Sequence, residues 1–284
     1  MAINVSHLAI YPIKSCKPVP LNESDVFLQG LKFDRRYMLV DENGQFVTAR
    51  EYPQLSLVKA SVDKQVLSLV GPEDDDRAPL LLMESEFADE HIDVQVWDDS
   101  LKAQKTTAEA DQWFSEILGI YVHLVFFAKQ SERFTSRRQD SPVTFADGYP
   151  FLLTTQASLD ELNQTTEHLV EMERFRPNIV VEGNEAFAED TWKRIRIGEV
   201  EFTNVKPCVR CNFTTLDPKT AIRSPKSEPL KALAKFRKLD KEGVTFGINL
   251  VAENEGVIRS GDTLEVLEYQ ESYDYQDKRQ LESA

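Results

Sequence analysis

Cys208 and Cys211, two of the three cysteines in this chain, flank Val209 and Arg210. At that spacing two sulfurs can share a metal, form a redox pair, or divide labour. The arginine between them adds positive charge, which favours thiolate over thiol and attracts an anion. A structural zinc site asks for two more Cys or His ligands close by. Cys16, His7, His91, His123 and His168 are scattered and unpaired. A thioredoxin-like site asks for the pair at a helix start inside a βαβ unit; here a β-rich run, Asn212 to Leu216, follows instead. Two inert, buried thiols are the third reading, because free Cys packs as a small hydrophobe. The pair alone leaves all of these open.

The elements that must position these sulfurs are strands. Val200, Phe202 and Asn204 alternate and are broken by Pro207, so the pair sits on a loop at a strand end, where sites are commonly built. Asn4 to Ile13 alternates in the same way and ends in Lys14-Ser15. That is either a solvated turn or an ammonium and hydroxyl set to hold an anion. The strand from Phe33 to Val40 is followed by the hairpin signal Asn43-Gly44 and a return strand ending Val47-Thr48-Ala49-Arg50. Lys14, Arg35 and Arg50 therefore stand near strand ends. Short runs from Leu55 to Lys105 predict a barrel or sandwich. The loop Glu73-Asp74-Asp75-Asp76 between two of them reads as exposed.

Helix signals are few. Thr106-x-x-Glu109 reads as a capping box before the stripe Ala110, Trp113, Phe114, Ile117 and Leu118, which stops at Gly119. Ser158-x-x-Glu161 caps a short helix through Leu162, and Ser227 caps one from Glu228 to about Leu239 with Pro229 in its first turn. Ser131 to Asp140 carries Arg133, Arg137 and Arg138, either a mobile surface loop or a lid over an anionic ligand. The fold class expected is mainly β with a few helices (α+β): a β-barrel-like domain over 1–119, a second barrel domain over 120–268, and a polar tail over 269–284, a disordered or linker segment.

At 284 residues, 41% hydrophobic and 29% charged, the chain has the composition of an ordinary soluble globular protein. Its net charge of −15 argues against nucleic acid as the main partner, because phosphate binding needs a basic field. No run approaches a membrane span, and Met1 to Ser15 lacks the apolar core of a signal peptide. Three cysteines, an odd number, fit a reducing compartment. The cytoplasm is the expected location.

Further stretches join this pattern: Tyr11-Pro12-Ile13-Lys14-Ser15-Cys16, Asp34-Arg35, Val47-Thr48-Ala49-Arg50, Phe145-Ala146-Asp147-Gly148-Tyr149-Pro150, Phe175-Arg176-Pro177-Asn178, Glu189-Asp190-x-Trp192, Cys208-Val209-Arg210-Cys211-x-x-Thr214-Thr215, Phe246-Gly247-Ile248-Asn249 and Ile258-x-x-Gly261-Asp262. In this order the series resembles the MOSC superfamily, whose members bind the molybdenum cofactor. It is most similar to two-part members with an N-terminal β-barrel domain, among them the mitochondrial amidoxime-reducing components and bacterial reductases of N-hydroxylated bases. The resemblance covers nearly the whole chain apart from the tail.

The resemblance implies that Cys211 is the ligand to molybdenum, a soft thiolate suited to that metal, with Cys208 beside it or merely buried. It implies that Lys14, Ser15, Arg35 and Arg176 hold the anionic and polar groups of the molybdopterin through charge-assisted hydrogen bonds. Asp147, Gly148, Tyr149, Asn178, Val209, Arg210 and Asn249 would complete the pocket. The implied reaction is a two-electron reduction of a small N-hydroxylated substrate. A plant-type iron–sulfur cluster needs four cysteines, so no iron–sulfur cluster is expected in this chain. Electrons are expected from an iron–sulfur or flavin protein, or from a ferredoxin domain fused in a longer parent. Two competing roles follow from the same family: a cofactor or sulfur carrier with a persulfide on Cys211, and a metal-free interaction module. The pyridoxal phosphate association of the superfamily reflects fusion to desulfurases, and no lysine motif for a Schiff base stands out here.

Overall fold

A computed structural model describes residues 2–279. Seven strands close into a barrel in the order Phe151–Thr155, Ile179–Glu182, Ile3–Ile10, Thr263–Tyr269, Trp192–Ile197, Val200–Val209 and Gly243–Ala252, the last pairing back onto the first through Phe151 and Leu250. Every neighbouring pair is antiparallel except Phe151–Thr155 with Ile179–Glu182. Period-2 alternation sends one face inward, so Leu8, Ile10, Phe151, Leu153, Ile195, Ile197, Val200, Phe202, Ile248 and Leu250 fill the interior. The chain is mainly β with barrel architecture, as the run of short alternating segments predicts.

The first half builds a five-stranded sheet in the order His91–Val96, Asp99–Lys105, His123–Phe126, Tyr37–Val40 and Phe46–Val47, beside a meander of Lys59–Asp63, Val66–Val70 and Leu80–Met83. The helix Ala108–Leu118 lays Trp113, Phe114 and Leu118 against that core. The two sequence halves also share elements. The first strand, Ile3–Ile10, lies in the large barrel, and Glu23–Phe27 pairs with Gly256–Arg259. Residues from both ends of the chain are thereby brought to one seam.

Several local expectations shift. The cap of the first long helix is Thr107, whose side chain accepts from Ala110 N, because Thr106 Oγ1 is already committed to Leu124 O at 2.9 Å. The second helix, Gln156–Asn163, is capped by Thr155, while Ser158 turns its hydroxyl to the buried carboxylate of Glu189. The helix expected from Glu228 shrinks to Leu230–Leu233. Arg237 is drawn inward to Asp190, and Lys238–Leu239 pairs as an edge strand. The β-rich run after Cys211 is a 3₁₀ turn, Asn212–Thr215, because the hydroxyls of Thr214 and Thr215 donate to the carbonyls three residues back. Residues 270–279 of the tail pack on the barrel instead of trailing: Gln270 donates to Asp190 O, Tyr275 meets Thr245, and Arg279 pairs with Glu161. Residues 280–284 of that tail lie outside the described residues.

Candidate functional site

A cleft of about 240 Å³ opens on the seam between the halves. All twelve residues singled out from the sequence line it: Lys14, Ser15, Arg35, Asp147, Gly148, Tyr149, Arg176, Asn178, Val209, Arg210, Cys211 and Asn249. Irregular backbone delivers them. Two bulges in the strand Val200–Val209, at Asn204/Lys206 and Pro207/Val209, re-aim its C-terminal end toward the cleft. Gly247 stands at φ +74° where a Cβ would lie 2.6 Å from Leu153 O, so only glycine lets the strand carrying Asn249 press that close. Ser15, Arg35 and Arg176 also hold left-handed backbone. Backbone of this kind concentrates where a surrounding structure fixes functional groups.

Two thiols reach the cleft, and each is met by a different arginine. Arg50 Nε donates to Cys211 Sγ at 3.3 Å, and its Nη2 pairs with Asp147 at 2.8 Å. Arg210 instead donates to Cys208 Sγ at 2.9 Å and to Phe175 O at 2.6 Å, so the charge between the cysteines serves the first sulfur and not the second. This corrects the reading from spacing alone. Cys16, the third cysteine, is buried, and burial pushes its thiol up to about 12. All three are free.

Lys14 sits almost fully buried, with Nζ 2.8 Å from Phe145 O and 2.5 Å from Asp147 Oδ1. Burial pushes its ammonium down to about 8, against the pull of Asp147. Asp147 opens to the cleft. What desolvation it suffers is outweighed by Lys14 and Arg50, which hold its carboxyl far below the usual carboxylate range. Deeper in, the ring of Tyr11 lies 4.1 Å from both the Arg35 and the Arg176 guanidinium. Arg35 is anchored by Asp34 at 2.6 Å and Arg176 by Cys16 O at 2.7 Å. Burial lowers Arg176 to about 10 and raises the Tyr11 hydroxyl to about 12.

Not every sequence candidate is free to bind. The Asn178 side chain is spent on scaffold, accepting from Leu152 N and Arg35 and donating to Ala9 O. The Ser15 hydroxyl accepts from Ala49 N at 3.1 Å. The Arg133–Arg138 stretch is no lid. Arg133 is buried and ties the carbonyls of Thr144, Ala146 and Asp147 together, while Arg137 and Arg138 pair with Glu242 and Glu253. Its role is to shape the Asp147 loop. Glu189 and Asp190 also lie away from the cleft, buried among Ser158, Thr155 and Arg237. Arg50, Lys206, Phe213 and Thr214 line the cleft without having been assigned to it. Arg50 at a strand end was the one visible hint.

The donor set fits an anionic cofactor that brings its own metal. Six cationic side chains and one carboxylate line the cleft. Arg210 Nε is buried with no hydrogen-bond partner among the described residues. An added Cβ at Gly148 would meet nothing within 4 Å, so space lies open before that backbone. Among the described residues no cluster of three or more His, Cys, Asp or Glu could hold a bare ion.

The sequence is similar to those of known proteins. The family model for the MOSC N-terminal beta barrel domain matches residues 2–121, and that for the MOSC domain matches residues 140–265. Mitochondrial amidoxime reducing component 2 of Macaca fascicularis is 36% identical over 277 residues, covering 91% of this chain and 82% of that protein. Mitochondrial amidoxime-reducing component 1 of Mus musculus is 34% identical over 281 residues, 93% of this chain and 82% of that protein. Component 2 of Homo sapiens is 35% identical over 277 residues, with coverage of 91% and 82%.

Proposed function

Because this chain belongs to the MOSC family, in the two-part form with an N-terminal β-barrel, we propose that it is a molybdenum-cofactor-dependent oxidoreductase that reduces N-hydroxylated compounds. One observation carries this reading: a reachable thiol, Cys211, shares a strongly cationic cleft with side chains from both sequence halves. The amidoxime-reducing activity in the relatives' names supports the substrate class.

In this reading Cys211 Sγ is the protein's ligand to the metal, and Arg50 Nε steadies that sulfur. Lys14, Arg35 and Arg176 take the phosphate and polar groups of the pterin, with Ser15 contributing through its left-handed backbone. Asp147, Gly148, Tyr149, Asn178, Val209, Arg210 and Asn249 form the walls. Bound there, the cofactor supplies the two-electron chemistry that takes oxygen from an N–OH group. The overall change consumes two electrons and two protons and releases water and the reduced nitrogen. Tyr149, with its hydroxyl 3.4 Å from Ser136 Oγ, and Lys206, 5.8 Å from its ring, stand together on the cleft lining. We propose that electrons come from an iron–sulfur or flavin protein, or from a ferredoxin domain fused in a longer parent, since the three cysteines of this chain cannot ligate a plant-type cluster. Among the described residues no helix is long and apolar enough to cross a membrane. The free thiols support a reducing compartment, for which we propose the cytoplasm.

Metal analysis of protein made in a cofactor-competent host tests the assignment. The wild type and Cys208→Ala should carry about one molybdenum per chain, and Cys211→Ala should carry almost none. A hydroxylamine-type substrate with a chemical reductant should then turn over only with the loaded proteins. Metal retained by Cys211→Ala, or loaded protein with no turnover, defeats the proposal; the second outcome favours a carrier.

A further inference from the structure

Trp97 is a large aromatic, 44% exposed, in a backbone conformation that does not suit it. It stands with Asp98 between the paired residues Val96 and Asp99, at the tip of a two-residue hairpin. Its φ is +56° while Asp98 has none above zero, so Trp97 occupies the first central position that glycine takes in a type II′ turn. A bulky side chain there is a true outlier. Folding alone gives no reason to keep it.

The contacts of the ring supply one. The Arg50 guanidinium lies 4.8 Å from the Trp97 ring, and Phe46 backs the ring at 5.0 Å. Phe46 in turn lies 5.6 Å from Lys14 Nζ. The hairpin is held down by Gly44, where a Cβ would lie 2.3 Å from Asp93 O, and by Gln95 N donating to Gly44 O at 2.9 Å. Arg50 is also fixed through its carbonyl, which accepts from Arg223 at 2.6 Å. Backbone and ring face are thus both constrained, leaving Nε and Nη2 aimed at Cys211 Sγ and Asp147.

We propose that Trp97 is a positioning residue for the reactive sulfur: its ring holds the Arg50 guanidinium in the one orientation that donates to Cys211 and Asp147 together. The role in turnover rests on the molybdenum reading above; the hold on Arg50 does not. A cation over an indole face is favourable even when partly exposed. Small misplacements of a positioned group lower rates steeply.

The test uses cofactor-free, nitrogen-15-labelled protein first. The Arg50 Nε–H resonance, identified by its loss in Arg50→Lys, should be slow to exchange in the wild type and in Trp97→Phe. In Trp97→Ala and Trp97→Gly it should exchange with solvent, although Trp97→Gly suits the turn and should fold. In loaded protein, Trp97→Ala should keep its molybdenum but lose about tenfold or more in kcat with a chemical reductant, with Trp97→Phe restoring most of it. An unchanged Arg50 resonance in both Trp97→Ala and Trp97→Gly overturns the proposal. Turnover that falls only with a protein electron donor also overturns it, and makes Trp97 a docking anchor. A wild type that never takes up molybdenum defeats the function proposed above, and the resonance still decides whether Trp97 holds Arg50.

Discussion

Lys14→Met should make the cofactor-free protein more stable while weakening its hold on anions. The ammonium is nearly buried, and burial is the main reason its value falls from 10.5 to about 8. At about 1.36 kcal/mol per unit, keeping this group charged in the folded chain at neutral pH costs roughly 3 kcal/mol. Methionine keeps an apolar stem and brings no charge to desolvate. The net shift already contains the pull and the hydrogen bond of Asp147, so what stands against that gain is the charge-assisted bond to Phe145 O, about 1.5 kcal/mol. Asp147 keeps Arg50 at 2.8 Å and faces water, so it is not stranded. The expected net gain is about 1 to 2 kcal/mol.

The pH dependence separates this account from a simple packing effect. Because the folded value lies below the unfolded one, the unfolded chain binds more protons between about pH 8 and 10.5. Wild-type stability from this group is complete above that window and is lost as pH falls through 8. Urea unfolding of both proteins from pH 7 to 10 should show the advantage of Lys14→Met shrinking as pH rises. In loaded protein the same change removes a charge-assisted bond worth about 1.5 to 3 kcal/mol, a ten- to hundredfold weaker hold on an anionic group. A variant that is less stable at pH 7, by an amount that does not change with pH, refutes the reasoning.

Glu189 offers the opposite sign. Burial first, then Asp190, push its carboxyl up to about 7, so its stability contribution is full below about 4.5 and is lost as pH rises through 7. Glu189→Gln should abolish a loss of roughly 2 to 3 kcal/mol between pH 5 and 8, and parallel denaturation curves for the two proteins would count against it. Gly247→Ala should cost about 1 to 2 kcal/mol from its left-handed backbone alone, with the clash on Leu153 O added. A thermal midpoint within a degree or two of the wild type would show that the strand can yield there.

The sequence carried the fold through its alternation, and the first long helix through its apolar stripe and Gly119, whose φ of +70° is the left-handed cap expected of it. It was less informative wherever one of two similar residues had to be chosen. Thr106 and Thr107 are equal as caps until Leu124 O claims the first. Ser158 could cap a helix until Glu189, 31 positions later, takes its hydroxyl. The cleft follows the same division. Its members were readable as a set of motifs, yet their partners were not. Arg210 is adjacent to Cys211 in sequence and bonds Cys208, while the arginine that meets Cys211 lies 161 positions away. Spacing reports only local geometry; barrel closure decides which distant side chain arrives.

That closure also explains how a chain of net charge −15 can present a cationic cleft. The acidic surplus lies outside the cleft, on strands and helices as well as loops, whereas the cleft gathers cations from separate strand ends that no local sequence window contains together. Gathering them has a cost, visible in the lowered values of Lys14 and Arg176, both set chiefly by burial. Asp147 is the one carboxylate among the described residues that line the cleft, and Asp34 behind it pairs with Arg35. The mutual repulsion of the cations is fixed by backbone that is itself strained at Ser15, Arg35 and Arg176. Side chains tied down in this way would need little reorganisation to meet the anion proposed above. In the proposed reading the site is already arranged, and an entering phosphate would offset a desolvation cost that the fold has accepted in advance.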